Sequence, residues 1–84
     1  MLRATVTGSV WATRRLDTLP NGAFLEVRTD DDATLIAFDV LGSGAGERVL
    51  VATGSVASAY FGPEHPPLDA LIIGMLDETK EEQA

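Results

Sequence analysis

Leu41-Gly42-Ser43-Gly44-Ala45-Gly46-Glu47 separates two apolar runs, Leu35-Ile36-Ala37-Phe38-Asp39-Val40 before it and Val49-Leu50-Val51-Ala52 after it. Three glycines in alternation leave a segment almost without side chains. Glycine is placed where the backbone needs positive φ or must come close to another backbone. A dinucleotide fingerprint needs Gly-x-Gly-x-x-Gly between a strand and a helix, because the helix N-terminus holds the pyrophosphate. Here the spacing is Gly-x-Gly-x-Gly, and the next residues, Glu47 to Thr53, read as a strand. No Gly-Lys-Ser/Thr closes the segment as a P-loop would. The segment therefore reads as a loop joining two strands, and the question becomes what its bare backbone touches.

Outward from this loop the chain reads as short strands. Towards the N-terminus, Thr34 to Val40 is a continuous apolar run that predicts a strand buried on both sides. Asp39 interrupts it, and a buried carboxylate must be hydrogen-bonded or paired; the expectation is a strand-end acid that accepts from loop amides. Phe24 to Thr29 alternates Leu25 and Val27 against Phe24, Glu26 and Arg28. Leu2 to Thr13 alternates Ala4, Val6, Gly8, Val10 and Ala12 against polar residues, with Trp11 on the polar phase, either exposed or covered by a partner. Arg14 to Gly22 connects these two strands: Leu16 and Leu19 are candidates to tack it down, and Leu19-Pro20-Asn21-Gly22 is a turn signal. Asp30-Asp31-Asp32 makes another turn.

Beyond the glycine loop, Glu47 to Thr53 predicts a fourth strand and Gly54 to Gly62 a short helical turn or loop. Gly62-Pro63 and Pro66-Pro67 then break the chain into turns. Leu68 to Leu76 gives a last strand through Leu71-Ile72-Ile73, and the tail from Asp77 is polar. Five short strands without a long amphipathic helix predict an all-β fold, a small five-stranded barrel, in one domain spanning residues 1–84, of which 78–84 are tail.

The 84 residues carry a formal net charge of −7, with 45% hydrophobic residues and no cysteine. Disulfides and thiolate metal sites are thereby excluded. The acidic balance argues against nucleic acid and against an anionic membrane surface as partners. No apolar segment approaches the roughly 18 residues of a membrane span, and no signal-peptide core is evident, so the expectation is a cytoplasmic protein. A single histidine, His65, does not make a metal site. Ser55, His65 and Asp69 supply triad composition, but Gly54-Ser55-Val56-Ala57 lacks the nucleophile elbow. Neither catalysis nor a cofactor is expected. A core this small makes self-association the natural inference.

The series Gly8-Ser9-Val10-Trp11-Ala12-Thr13-Arg14, Ala37-Phe38-Asp39, the glycine run with Glu47, Gly54-Ser55-Val56-Ala57 and Leu68-Asp69-Ala70-Leu71-Ile72-Ile73-Gly74-Met75-Leu76-Asp77 resembles the EutN/CcmL family, the pentameric vertex proteins of bacterial microcompartments. The resemblance spans Leu2 to Asp77. It implies an OB-like barrel assembling as a cyclic homopentamer, a structural shell protein that caps the vertices of a polyhedral microcompartment. Its partners would be the hexameric shell proteins, and it would lie within the cytoplasmic shell. It further implies that Gly42, Ser43, Gly44, Ala45, Gly46 and Glu47 sit near the subunit boundary or an axial opening. Asp39 and Ser55 would hold that loop by hydrogen bonds, and Asp69 and Asp77 would bracket the last strand.

Two positions depart from the family pattern. Ser43 stands where alanine is common, and Gly54-Ser55-Val56-Ala57-Ser58 lacks the family's arginine. The glycine run looks like the metabolosome and β-carboxysome type. The alternative is a solitary OB-like module that binds an anionic ligand or nucleic acid at the glycine loop.

Overall fold

The computed structural model describes residues 1–12, 14–62 and 67–77. The elements are β1 (Leu2–Val10), β2 (Ala23–Thr29), β3 (Thr34–Asp39), β4 (Arg48–Thr53), α1 (Gly54–Ala59) and β5 (Ala70–Met75). The strands close into a barrel in the order β1-β2-β3-β5-β4, the five-stranded Greek-key plan of OB-like barrels. All neighbours are antiparallel except β3 and β5, which run parallel and meet at one register pair, Phe38 with Leu71.

Alternation builds the core as expected in the middle of the sheet. Ala4 and Val6 of β1, Leu25 and Val27 of β2, and Val49 and Val51 of β4 all point inward, with Ile72 of β5. A second cluster closes one end. There Phe38, Leu71 and Ala57 pack with Phe24, Phe61 and Leu68. The Phe24 and Phe38 rings meet edge to face with centroids 5.3 Å apart, a geometry that aligns the positive ring edge with a negative face. The helix α1 is six residues long and buries only Ala57.

Three expectations fail in informative ways. The alternation of β1 does not continue to Ala12. Between Val6 and Gly8 the register against β2 shifts, Val6 facing Val27 and Gly8 facing Glu26. The extra residue, Thr7, is a bulge, and one inserted residue exchanges the inner and outer faces of everything after it. Val10 is therefore 37% exposed, and Ala12 is exposed rather than buried. Thr7 Oγ1 donates to the Glu26 carboxylate across the bulge at 2.9 Å. Second, β3 is buried on both faces only in its second half. Ala37 joins the main core and Phe38, on the opposite face, packs against Ala57 and Phe61. Ile36, on the same face as Phe38, is exposed because the six-residue α1 does not reach it, and Val40 lies exposed past the strand end. Third, Leu16 is exposed and does not anchor the connection. Arg15 anchors it instead. Its guanidinium donates to the carbonyls of Gly22 at 2.9 Å and Pro20 at 3.0 Å, and it lies 5.3 Å from the Phe24 ring centroid.

The acidic turn after β2 is tied down locally. The Thr29 hydroxyl accepts from the Ala33 amide at 3.0 Å and donates to the Asp31 carboxylate. Asp32 takes a positive φ of 73°, which aspartate tolerates better than most residues. Asp30 receives a two-pronged hydrogen bond from Arg48, 2.7 and 2.9 Å. That bond, followed by the charge of Arg48 and of Arg3, holds the Asp30 carboxyl below its ordinary value. A depressed folded value means the stabilisation is present above the unfolded value and is lost as pH falls through the folded one. The pair is solvated, so the expected effect is small. Urea midpoints of the wild type should fall more steeply below about pH 4 than those of Asp30→Asn. Parallel curves would remove the ion pair from the stability of the subunit.

Candidate functional site

The glycine loop is a built structure, and Asp39 is its centre. Asp39 is 3% exposed. One carboxylate oxygen accepts the Gly42 and Ser43 amides, each at 2.9 Å. The other accepts the Leu41 amide at 3.3 Å and the Ser43 hydroxyl at 3.1 Å. A carboxylate at the end of a strand can gather successive amides because the chain turns back over it as soon as β3 ends. No buried side-chain nitrogen or oxygen is left without a partner among the described residues. The Ser43 hydroxyl adds a fourth bond to the same acid.

The second half of the loop is held differently. Glu47 reaches back and its Oε1 accepts the Gly44 amide at 2.6 Å. The Gly46 amide donates to the Val6 carbonyl at 2.8 Å, and the Val6 amide donates to the Glu47 carbonyl at 2.9 Å. These two bonds continue the β1–β4 ladder and fix the loop to the barrel. Gly42 and Gly46 have φ of 85° and 88°, so the backbone itself demands glycine there. Gly44 does not share that conformation. A Cβ built on it would meet only the Glu47 carboxylate, at 3.4 Å. Ala45 and Glu47 are exposed.

The other site residues separate from the loop. Ser55 does not hold it: Ser55 lies exposed on α1, and its carbonyl accepts from the Ser58 hydroxyl at 3.3 Å. The reason is that Ser55 comes after β4, whereas the bonds of the loop are made by Asp39, Glu47 and Val6. Asp69 and Asp77 do flank β5, and the Asp69 carbonyl accepts the Gly54 amide at 2.8 Å. His65 lies outside the described residues. Among the described residues no group of three or more histidine, cysteine or acidic side chains is placed to hold a metal ion.

Gly22 has a role that the turn signal alone does not reveal. A Cβ there would lie 2.6 Å from the Asp39 carbonyl oxygen and 2.6 Å from the Phe38 ring. The absent side chain is what lets the β1–β2 connection lie against the end of β3, next to the acid that organises the loop. Outside the barrel, Trp11 is 90% exposed, and Ile36, Leu41, Tyr60 and Ile73 are also uncovered. Single exposed apolar residues are ordinary, but Val40, Leu41, Tyr60 and Ile73 line one apolar gap together, and a contiguous apolar patch marks contact surface.

The geometry thus defines a small closed barrel with an amide-rich loop and uncovered apolar side chains, a subunit that presents surface to other protein. Residues 1–77 match the family model described as ethanolamine utilisation protein EutN/carboxysome, and the chain belongs to this EutN/CcmL family. It is 34% identical over 84 residues to the bacterial microcompartment shell vertex protein EutN of Salmonella typhimurium, covering 93% of this chain and 85% of the relative. It is 36% identical over 83 residues to the carboxysome shell vertex protein CcmL of Synechocystis sp., covering 92% and 83%. Among solved structures, the pentameric shell protein MSM0273 from the RMM microcompartment matches with a TM-score of 0.86 at 63% identity, covering 92% of this chain and 91% of that one.

Proposed function

We propose that five copies of this chain close into a ring that caps a vertex of a polyhedral bacterial microcompartment, in the cytoplasm, beside hexameric shell proteins. The role is structural: the chain neither catalyses a reaction nor carries a cofactor. The observation that carries this reading is the match, at 63% identity and nearly full length, to a pentameric microcompartment shell protein. Among the described residues no helix is long and apolar enough to cross a membrane, which agrees with a shell location. We place the compartment with the metabolosome type; both EutN and carboxysome CcmL vertex proteins stand among the relatives.

A ring of identical head-to-tail contacts closes when the rotation between neighbours permits it. The subunit boundary runs along Gly42, Ser43, Gly44, Ala45, Gly46 and Glu47, with Asp39 behind it as the support. Light scattering across a range of protein concentrations is the test. A single species of five subunit masses, holding on dilution, is the expected result. A monomer would overturn the reading, and oligonucleotide binding by such a monomer that weakens with salt would favour the solitary binding module.

A further inference from the structure

We propose that Trp11 of one subunit seats in the apolar notch between β3 and β5 of its neighbour, a contact that rests on the ring proposed above. The notch exists because β3 and β5 touch at one register pair only, Phe38 with Leu71. Beyond that pair β3 turns into the glycine loop, while β5 runs on to Met75. The gap of about 280 Å³ that opens between them is lined by Val40, Leu41, Tyr60, Leu71, Ile72 and Ile73, with no charged side chain. Ile73 follows the inward-facing Ile72 and is exposed, at a second irregularity where the β4 partners Leu50 and Val51 face Gly74 and Ile72.

A ring of five needs two different patches on each subunit, one for each neighbour. Barrel order puts β2 and β4 on either side of β1, so the β3–β5 junction lies across the barrel from β1. Trp11 and the notch share no lining residue, so each subunit carries the two as separate patches, as a head-to-tail contact requires. They also share a pairing row: Val10 faces Phe24, Phe24 faces Phe38, and Phe38 faces Leu71. Trp11 lies one residue past the end of β1 and is 90% exposed. A buried tryptophan removes about 200 Å² from water, roughly a quarter of the ~800 Å² that each side of a stable interface covers. The notch runs through Val40 and Leu41 straight into the glycine loop, so both belong to one boundary.

Trp11 is the only tryptophan in the chain, so its fluorescence reports this contact alone. In the wild-type ring, emission should be blue-shifted and acrylamide quenching several-fold weaker than in subunits separated by mild urea. Trp11→Glu and Leu41→Glu should each reduce the mass five-fold with far-UV circular dichroism unchanged, while Trp11→Phe keeps the ring. A five-subunit ring whose Trp11 is freely quenched, or a ring that survives Trp11→Glu, would overturn the contact and leave the ring standing. A shielded Trp11 in a ring that survives Leu41→Glu would overturn the notch as its seat. A wild-type monomer would remove the ring itself.

Discussion

Replacing Asp39 with alanine should destabilise the subunit by roughly 3 kcal/mol, read as a fall in the urea midpoint at fixed protein concentration. The size reflects the groups that the carboxylate holds: three backbone amides and one hydroxyl, with Asp39 itself 3% exposed. Hydrogen bonds to a charged acceptor are stronger than neutral ones, and buried donors left without an acceptor carry their full desolvation penalty. Fixed concentration matters because a ring links its own assembly to folding. Asp39→Asn is the informative companion. Its single oxygen can accept only part of the set, and its amide would face donors, so it should fall between wild type and alanine. A change below about 0.5 kcal/mol for alanine, the range of ordinary surface substitutions, would mean that the loop holds its shape without the acid.

Gly44→Leu should produce the opposite pattern, a folded subunit that no longer forms a ring. Gly42 and Gly46 cannot make this distinction, because their positive φ strains any larger residue whatever lies nearby. Gly44 is free of that strain, and within its own subunit only the Glu47 carboxylate stands near the new side chain. Little loss of subunit stability is expected beyond the Gly44–Glu47 hydrogen bond, about 1 kcal/mol or less at this exposed position. A leucine at the proposed boundary would hold two backbones apart. Light scattering should therefore report one subunit mass with native circular dichroism. A ring of normal mass and stability would move the boundary away from the glycine loop.

Much of the fold is legible in the sequence because its signals are local. Leu25 and Val27, or Ala4 and Val6, alternate within a few residues, and period two has one physical meaning. Asp39 can be read as an amide acceptor because a carboxylate in an apolar run has few other ways to exist. The failures have one common cause: they depend on what lies beside a residue and not on its neighbours in sequence. Nothing in Val6-Thr7-Gly8 announces that Thr7 is inserted relative to β2, yet that insertion turns Val10 outward. Ile36 looks doubly buried because an apolar run does not reveal whether its second face is covered. Gly22 carries a turn signal, but its sharper requirement comes from Phe38 and Asp39, which approach it from another strand. Arg15 lies in a polar connection, and only the fold brings it over Phe24. The family resemblance assigns Ser55 to the loop, whereas the barrel leaves it on α1.

The closure of the barrel has a consequence for quality control during synthesis. The strands β1, β2 and β3 pair consecutively, so they can form while the rest of the chain is still being made. Pairings such as Leu2 with Val51, and Phe38 with Leu71, span long stretches of chain and come late. The Gly46–Val6 bond that pins the glycine loop and the notch that β5 completes both belong to this late group. On the proposed contact, an immature subunit presents Trp11 but has no notch for another copy's Trp11. It can join a growing assembly at one end and cannot complete it. Only finished barrels supply both halves of the proposed contact, so a ring that closes contains finished barrels alone.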